Sequence, residues 1–130
     1  MAGAECLRSR TYLIYAQLVA AGWEVILLEE VDKWYMNLDE ADAARIEAAI
    51  DALEVSGPAL GRPLVDQIKG SRHKNMKELR SGSVRILFAF DPARKAVLLV
   101  AGDKRGSWST WYETAIPVAD DLYSAWTEHR

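Results

Sequence analysis

From Trp23 the chain reads WEVILLEEV, a β-branched and apolar run that predicts a first strand ending near Glu30. The period then changes. In LDEADAARIEAAIDALEVSGP, Ile46, Ile50 and Leu53 recur at helical spacing and form a buried stripe. Asp39 stands where an N-cap is needed, acidic residues fill the first turn, and Gly57-Pro58 stops the helix. A short helical piece around Trp34 to Met36 is expected before it. GPALGRPLVDQIKG is rich in turn residues and reads as a connecting loop. MKELR, SVRILFAF and AVLLVAG follow as three strands, separated by turns at Ser81-Gly82 and Asp91-Pro92, and connections this tight imply an antiparallel meander. In the last segment Val118, Leu122 and Trp126 keep helical spacing, with Pro117 suited to a first helical position. The order β-α-α-β-β-β-α predicts an α+β fold, an antiparallel sheet flanked by helices.

A chain of 130 residues, half of them hydrophobic, supports one domain with its own core. That domain is placed at 23–130. Residues 1–22 form an N-terminal extension, helical or frayed. Its Arg8 and Arg10 precede an apolar run in the manner of a signal peptide, but the run is too short to span a membrane and Tyr12, Tyr15 and Gln17 interrupt it. The single cysteine, Cys6, has no partner for an internal disulfide, and no Cys/His grouping has zinc spacing. A reducing, cytoplasmic setting follows, with no membrane partner. Walker loops, nucleophile elbows, HExxH and dinucleotide fingerprints are missing from the sequence, so neither a metal nor a small-molecule cofactor is expected.

Charge changes this picture. The net charge is −3, but the distribution is segregated: residues 1–68 hold five basic and twelve acidic side chains, residues 69–105 ten and three, and residues 106–130 one and four. The middle block therefore carries +7, enough to attract a polyanion locally in an acidic protein. A solvated face balancing the acidic helix is the competing explanation. In VRILFAF, Arg85 shares a face with Leu87 and Ala89, while Val84, Ile86, Phe88 and Phe90 face the other way. The phenylalanine face is expected to be the core, which leaves Arg85 projecting from the opposite surface. Two readings are open there: a structural ion pair with Asp66, Glu78 or Asp103, or a phosphate contact. Antiparallel pairing would gather Arg80, Lys104 and Arg105 around Arg85. Lys69, Arg72, His73, Lys74 and Lys77 would form the approach, contacting phosphates without reading bases.

The blocks GRPLVDQIKGSRHKNMKELR and VRILFAFDPARKAVLLVAGDK resemble the RelE/HigB superfamily of type II toxin–antitoxin toxins, in its phage-derived HigB-like group, and the resemblance covers residues 23 to 126. It implies a small RelE-like fold and a metal-independent endoribonuclease that cuts mRNA on the ribosome and inhibits translation. The implied partners are a helix-turn-helix antitoxin, mRNA and the ribosome. Attack of a ribose 2′-OH on the adjacent phosphate needs a base, an acid and charge stabilisation. By resemblance the catalytic positions are Arg80, Arg85, Lys104 and Tyr112, with Arg105 an alternative to Lys104 and otherwise an RNA contact. Glu78 stands where the prototype has a lysine, so the lysine-rich catalytic set is not reproduced. His73 is a candidate base. Trp108 and Trp111 are expected to anchor the last helix, leaving Tyr112 to face substrate. The alternative function is a non-catalytic protein of the same fold that binds RNA or a regulator.

Overall fold

The computed structural model describes residues 22–103 and 108–129, with the side chains of the last helix described from residue 110 onward. β1 is Glu24–Leu27, α1 Glu29–Met36 and α2 Glu40–Ser56; β2 is Val65–Gln67, β3 Met76–Ser81, β4 Val84–Phe90, β5 Lys95–Asp103 and α3 Trp108–His129. The extension at residues 1–21 lies outside the described residues.

Local chemistry accounts for the boundaries. The first strand stops at Leu27 rather than near Glu30, because Glu29, Glu30 and Asp32 open α1, where negative charge meets the positive end of the helix. Val31 and Tyr35, four residues apart, turn α1 inward. The cap of α2 forms as the sequence implies: the Asp39 side chain accepts the Asp42 amide at 2.8 Å. Pro117 does not open the last helix. It lies inside α3, exposed, where the missing amide faces solvent. The helix begins nine residues earlier because Trp111, Ala115, Ile116 and Ala119 already supply a sheet-facing stripe.

The five strands pair in the order β1-β5-β4-β3-β2. The meander β3-β4-β5 is antiparallel as expected. Two additions extend it. β1 joins the free side of β5 in parallel, and three residues of the expected loop pair with β3 as β2. A strand of three residues carries too little periodicity to be seen before its partner is in place.

Both faces of the sheet are covered. Leu79, Ile86, Phe88, Ala96 and Leu98 pack against α1 and α2 through Val31, Tyr35, Ile46, Ile50 and Leu53. On the other face Met76, Leu87, Ala89, Val97 and Leu99 pack against Ala115, Ala119 and Tyr123 of α3. A bulge enlarges this second core: β5 carries an extra residue between the Leu87–Val100 and Phe88–Leu98 pairs, so Leu99 and Val100 both turn toward α3. The expectation of one core face and one open face is thereby corrected. Arg85 does not project from an exposed surface; it lies under α3, 7% exposed.

Trp111 brings α3 close to the sheet at the cationic end. A Cβ on Gly102, the residue opposite Arg85, would stand 2.5 Å from the Trp111 indole nitrogen. Gly102→Ala should therefore push α3 outward and cost about 1–3 kcal/mol in urea unfolding. A change within about 0.5 kcal/mol would show that Trp111 does not fix the helix at this point.

Candidate functional site

Alternation along β3 puts Met76, Glu78 and Arg80 on the face that α3 covers. Register then sets their neighbours: Arg85 of β4 lies opposite Arg80, and Asp66 of β2 opposite Glu78. Two arginines side by side on a covered face repel each other and lose hydration, so the arrangement needs a compensating anion. Glu78, 3% exposed, supplies it. Its Oε2 accepts from Arg80 Nε at 2.9 Å, and its Oε1 lies 3.8 Å from Arg85 Nε. Arg80 also reaches Asp66 at 3.2 Å, and Asp66 in turn meets Arg62 at 3.3 Å.

Arg85 is aimed by the backbone. One terminal nitrogen donates to the carbonyls of Gly82 at 2.6 Å and Val84 at 2.9 Å. Gly82 holds φ +61°, the left-handed conformation glycine adopts without cost, and this turn orients its carbonyl toward the guanidinium. From α3, the Tyr112 hydroxyl donates to Glu78 Oε1 at 2.6 Å. Burial and the bond to the Glu78 carboxylate push this phenol up to about 12, against an opposing effect of Arg85 beside it. Tyr112 is thus neutral at physiological pH. The Arg80 guanidinium is raised as well, first by its hydrogen bond to Glu78, and stays charged.

The structure brings together Arg80, Arg85 and Tyr112 of the expected residues, around Glu78. Lys104 and Arg105 lie outside the described residues. Lys77 alternates to the other face of β3 and is separated from the cluster. Lys69 and Lys74 are exposed on the β2–β3 loop. Arg72 and His73 fasten that loop to α3. Asp120 accepts from Ser71 Oγ at 2.5 Å and from the Arg72 amide at 3.1 Å, while the Arg72 guanidinium reaches Asp121 at 2.8 Å. His73 Nε2 sits 3.0 Å from Ser124 Oγ and 3.2 Å from the Asp120 carbonyl, with its ring edge-on to Tyr123. Ser124 is about three turns along α3 from Tyr112, so this imidazole belongs to the latch rather than the cluster.

Two participants carry more weight than their sequence context suggests. Glu78 stands out in the sequence as a departure from the family pattern and as one of three possible partners for Arg85, which it meets in the structure; the signal that places it is its spacing of two from Arg80 on a strand. Asp120 and its latch depend on contacts across nearly fifty residues, which spacing does not reveal. Trp111 packs over the sheet as an anchor, edge-on to Tyr112. Among the described residues no three His, Cys, Asp or Glu side chains converge to hold a metal ion, and no helix is long and apolar enough to cross a membrane.

A sheet held between two helices and a third, with a cationic cluster at one end, has the fold of RelE-type proteins. The archaeal RelE of a RelE–RelB complex from Pyrococcus horikoshii OT3 matches with a TM-score of 0.55 and 21% identity, over 65% of this chain and 97% of that one. The chain belongs to the family described as phage-derived protein Gp49-like (DUF891), whose pattern matches residues 33–124, and with it to the HigB-like group of RelE-superfamily toxins. It is 51% identical over 109 residues to a protein of Mycobacterium tuberculosis named as candidate toxin HigB3, covering 81% of this chain and 96% of the relative. A second relative from that organism, named as candidate toxin HigB2, is 48% identical over 124 residues, 92% of this chain. The chain spans 60% of the length of HigB2.

The Tyr112–Glu78 bond has a pH signature. The folded phenol titrates at about 12 and the free phenol at 10.0, so folding favours the protonated form. Its stabilising contribution is complete below about pH 10 and is lost as the pH rises through about 12. The stability gap between the natural chain and Tyr112→Phe should be constant up to about pH 10 and close above it. A gap that stays constant to pH 12 would show that Tyr112 is not held by Glu78.

Proposed function

We propose that the chain is the toxin of a type II toxin–antitoxin pair and a metal-independent endoribonuclease that cuts ribosome-bound mRNA in the cytoplasm. Family membership supports the toxin role. The convergence of Arg80, Arg85 and Tyr112 on one carboxylate carries the chemical reading.

In this reading the scissile phosphate approaches Arg80 and Arg85, whose guanidinium groups share its non-bridging oxygens and stabilise the extra negative charge of the phosphorane. The ribose 2′-oxygen forms the new bond to phosphorus. Its proton passes to the Tyr112 oxygen as Tyr112 gives its own to Glu78, a relay along the existing 2.6 Å bond. The 5′-oxygen leaves and takes a proton from solvent, giving a cyclic phosphate and a 5′-hydroxyl. A neutral phenol is required at the start of such a relay, and burial beside Glu78 keeps it so. Lys69 and Lys74, exposed on the loop, supply long-range attraction to RNA. Lys104 and Arg105, next in sequence after β5, belong to the proposal as further contacts to the RNA phosphates. A RelE–RelB complex among related folds supports an antitoxin partner; the helix-turn-helix class of that antitoxin is part of the proposal.

The second reading, a non-catalytic protein that binds RNA or a regulator, draws on the same geometry. Glu78 already neutralises the arginines in the free protein, as a purely structural network would. Cleavage separates the two. Arg85→Ala should lower mRNA cleavage about a hundredfold or more and relieve growth arrest, with added EDTA making no difference. Arg80→Ala, at a side chain 36% exposed, should do the same with the fold intact. Undiminished cleavage in a folded Arg80→Ala and Arg85→Ala pair would overturn the assignment.

A further inference from the structure

Beside the Glu78 cluster a groove of about 530 Å³ runs between the β2–β3 loop at Gly70 to Arg72 and the first half of α3. Its volume falls within the range of about 300–1,000 Å³ typical of small-ligand sites. Tyr112 belongs to both places. It lines the groove while its hydroxyl bonds Glu78, so a ligand in the groove would touch the residue that bonds the carboxylate between the two arginines.

The groove is built to keep its shape. Asp120, 3% exposed, accepts from Ser71 and from the Arg72 amide, which fixes the loop wall to the helix wall. Ile116 and Pro117 give an apolar strip next to the Tyr112 ring, a surface suited to the flat face of a base. Glu113 adds an exposed carboxylate that takes part in none of the ion pairs among the described residues. A carboxylate accepts hydrogen bonds from amines and repels phosphates, while the Arg72 guanidinium on the facing wall is held by Asp121. A base seated there would leave its phosphate on the Tyr112 side, where the hydroxyl meets Glu78 and, through it, Arg80 and Arg85.

We propose that this groove is a nucleobase subsite, taking the base that flanks the scissile phosphate against Tyr112 and Ile116 and selecting, through Glu113, bases that carry an exocyclic amine. The inference rests on the endonuclease reading and adds to it a physical basis for base preference.

The test uses the full chain acting on ribosome-bound reporter mRNAs that differ only in the base beside one cleavage site. The natural chain should cut beside adenine, cytosine or guanine in preference to uracil. Glu113→Gln should reduce that preference about tenfold or more. Ile116→Trp, which fills the groove, should reduce cleavage about tenfold or more while the fold and the alkaline titration of Tyr112 are retained. If both variants cut the same sites at the natural rate while Arg85→Ala does not cut, the groove assignment is overturned and the endonuclease reading stands. If the natural chain cuts no reporter, the endonuclease reading fails, and binding of 2′-deoxy trinucleotides decides the groove. Tighter binding of amine-bearing trinucleotides, weakened by Ile116→Trp, supports the subsite; equal binding of all trinucleotides by both proteins overturns it.

Discussion

A carboxylate taken out of water is costly to keep ionised, and so is a guanidinium; each becomes tolerable when the other is held against it with further hydrogen bonds. Glu78 and Arg85 are in this position, both nearly excluded from solvent on the sheet face that α3 covers. Arg80 and Tyr112 complete the coordination of the carboxylate, and the carbonyls of Gly82 and Val84 satisfy part of the guanidinium. This requirement, together with the strand register and the Gly82 turn, sets how the side chains of the cluster face one another. Without the carboxylate, two cross-strand arginines would repel each other beneath a helix. Without the arginines, a buried negative charge would face the sheet alone.

The rest of the fold holds this cluster at the boundary between core and solvent. Apolar residues on the same face, Met76, Leu87, Ala89, Val97 and Leu99, seat α3 by hydrophobic burial. Trp111 over Gly102 fixes the helix where the face turns polar, which sets Tyr112 within reach of Glu78. Farther along the helix, Asp120 clamps Ser71 and Arg72, and His73 reaches Ser124, so the cationic loop is tied to α3. Packing and electrostatics therefore serve one geometry: a rigid sheet end, a helix lying across it, and a loop alongside that leaves a groove between them.

The meander was legible because its strands are short runs, two of them strongly apolar, and its turns carry glycine or proline, and α2 because Asp39 and Gly57 mark its ends. Arg80 and Arg85 were legible as neighbours, since a hairpin with a two-residue turn leaves little freedom of register. What escaped the sequence depends on contacts distant along the chain. The parallel pairing of β1 with β5 joins residues about seventy apart in the chain, and β2 is too short to show a period. The covering of the Arg85 face could not be read from β4 alone, since Arg85 with Leu87 and Ala89 looks half polar until α3 supplies a partner for the apolar pair. Glu78 was visible as an oddity of type and as one of three possible partners for Arg85; its place at the centre follows from alternation on β3 combined with the approach of Tyr112 from thirty-four residues away.

If the buried carboxylate organises the site, its energy must be shared with the arginine beside it. A double-mutant cycle with Glu78→Gln, Arg85→Met and the combined variant, measured by urea unfolding, reads that sharing directly. A coupling of about 1–3 kcal/mol is expected, with the double variant less damaged than the sum of the singles. Additive losses, within about 0.3 kcal/mol, would contradict it, because two residues that do not sense each other's removal cannot be holding one site together.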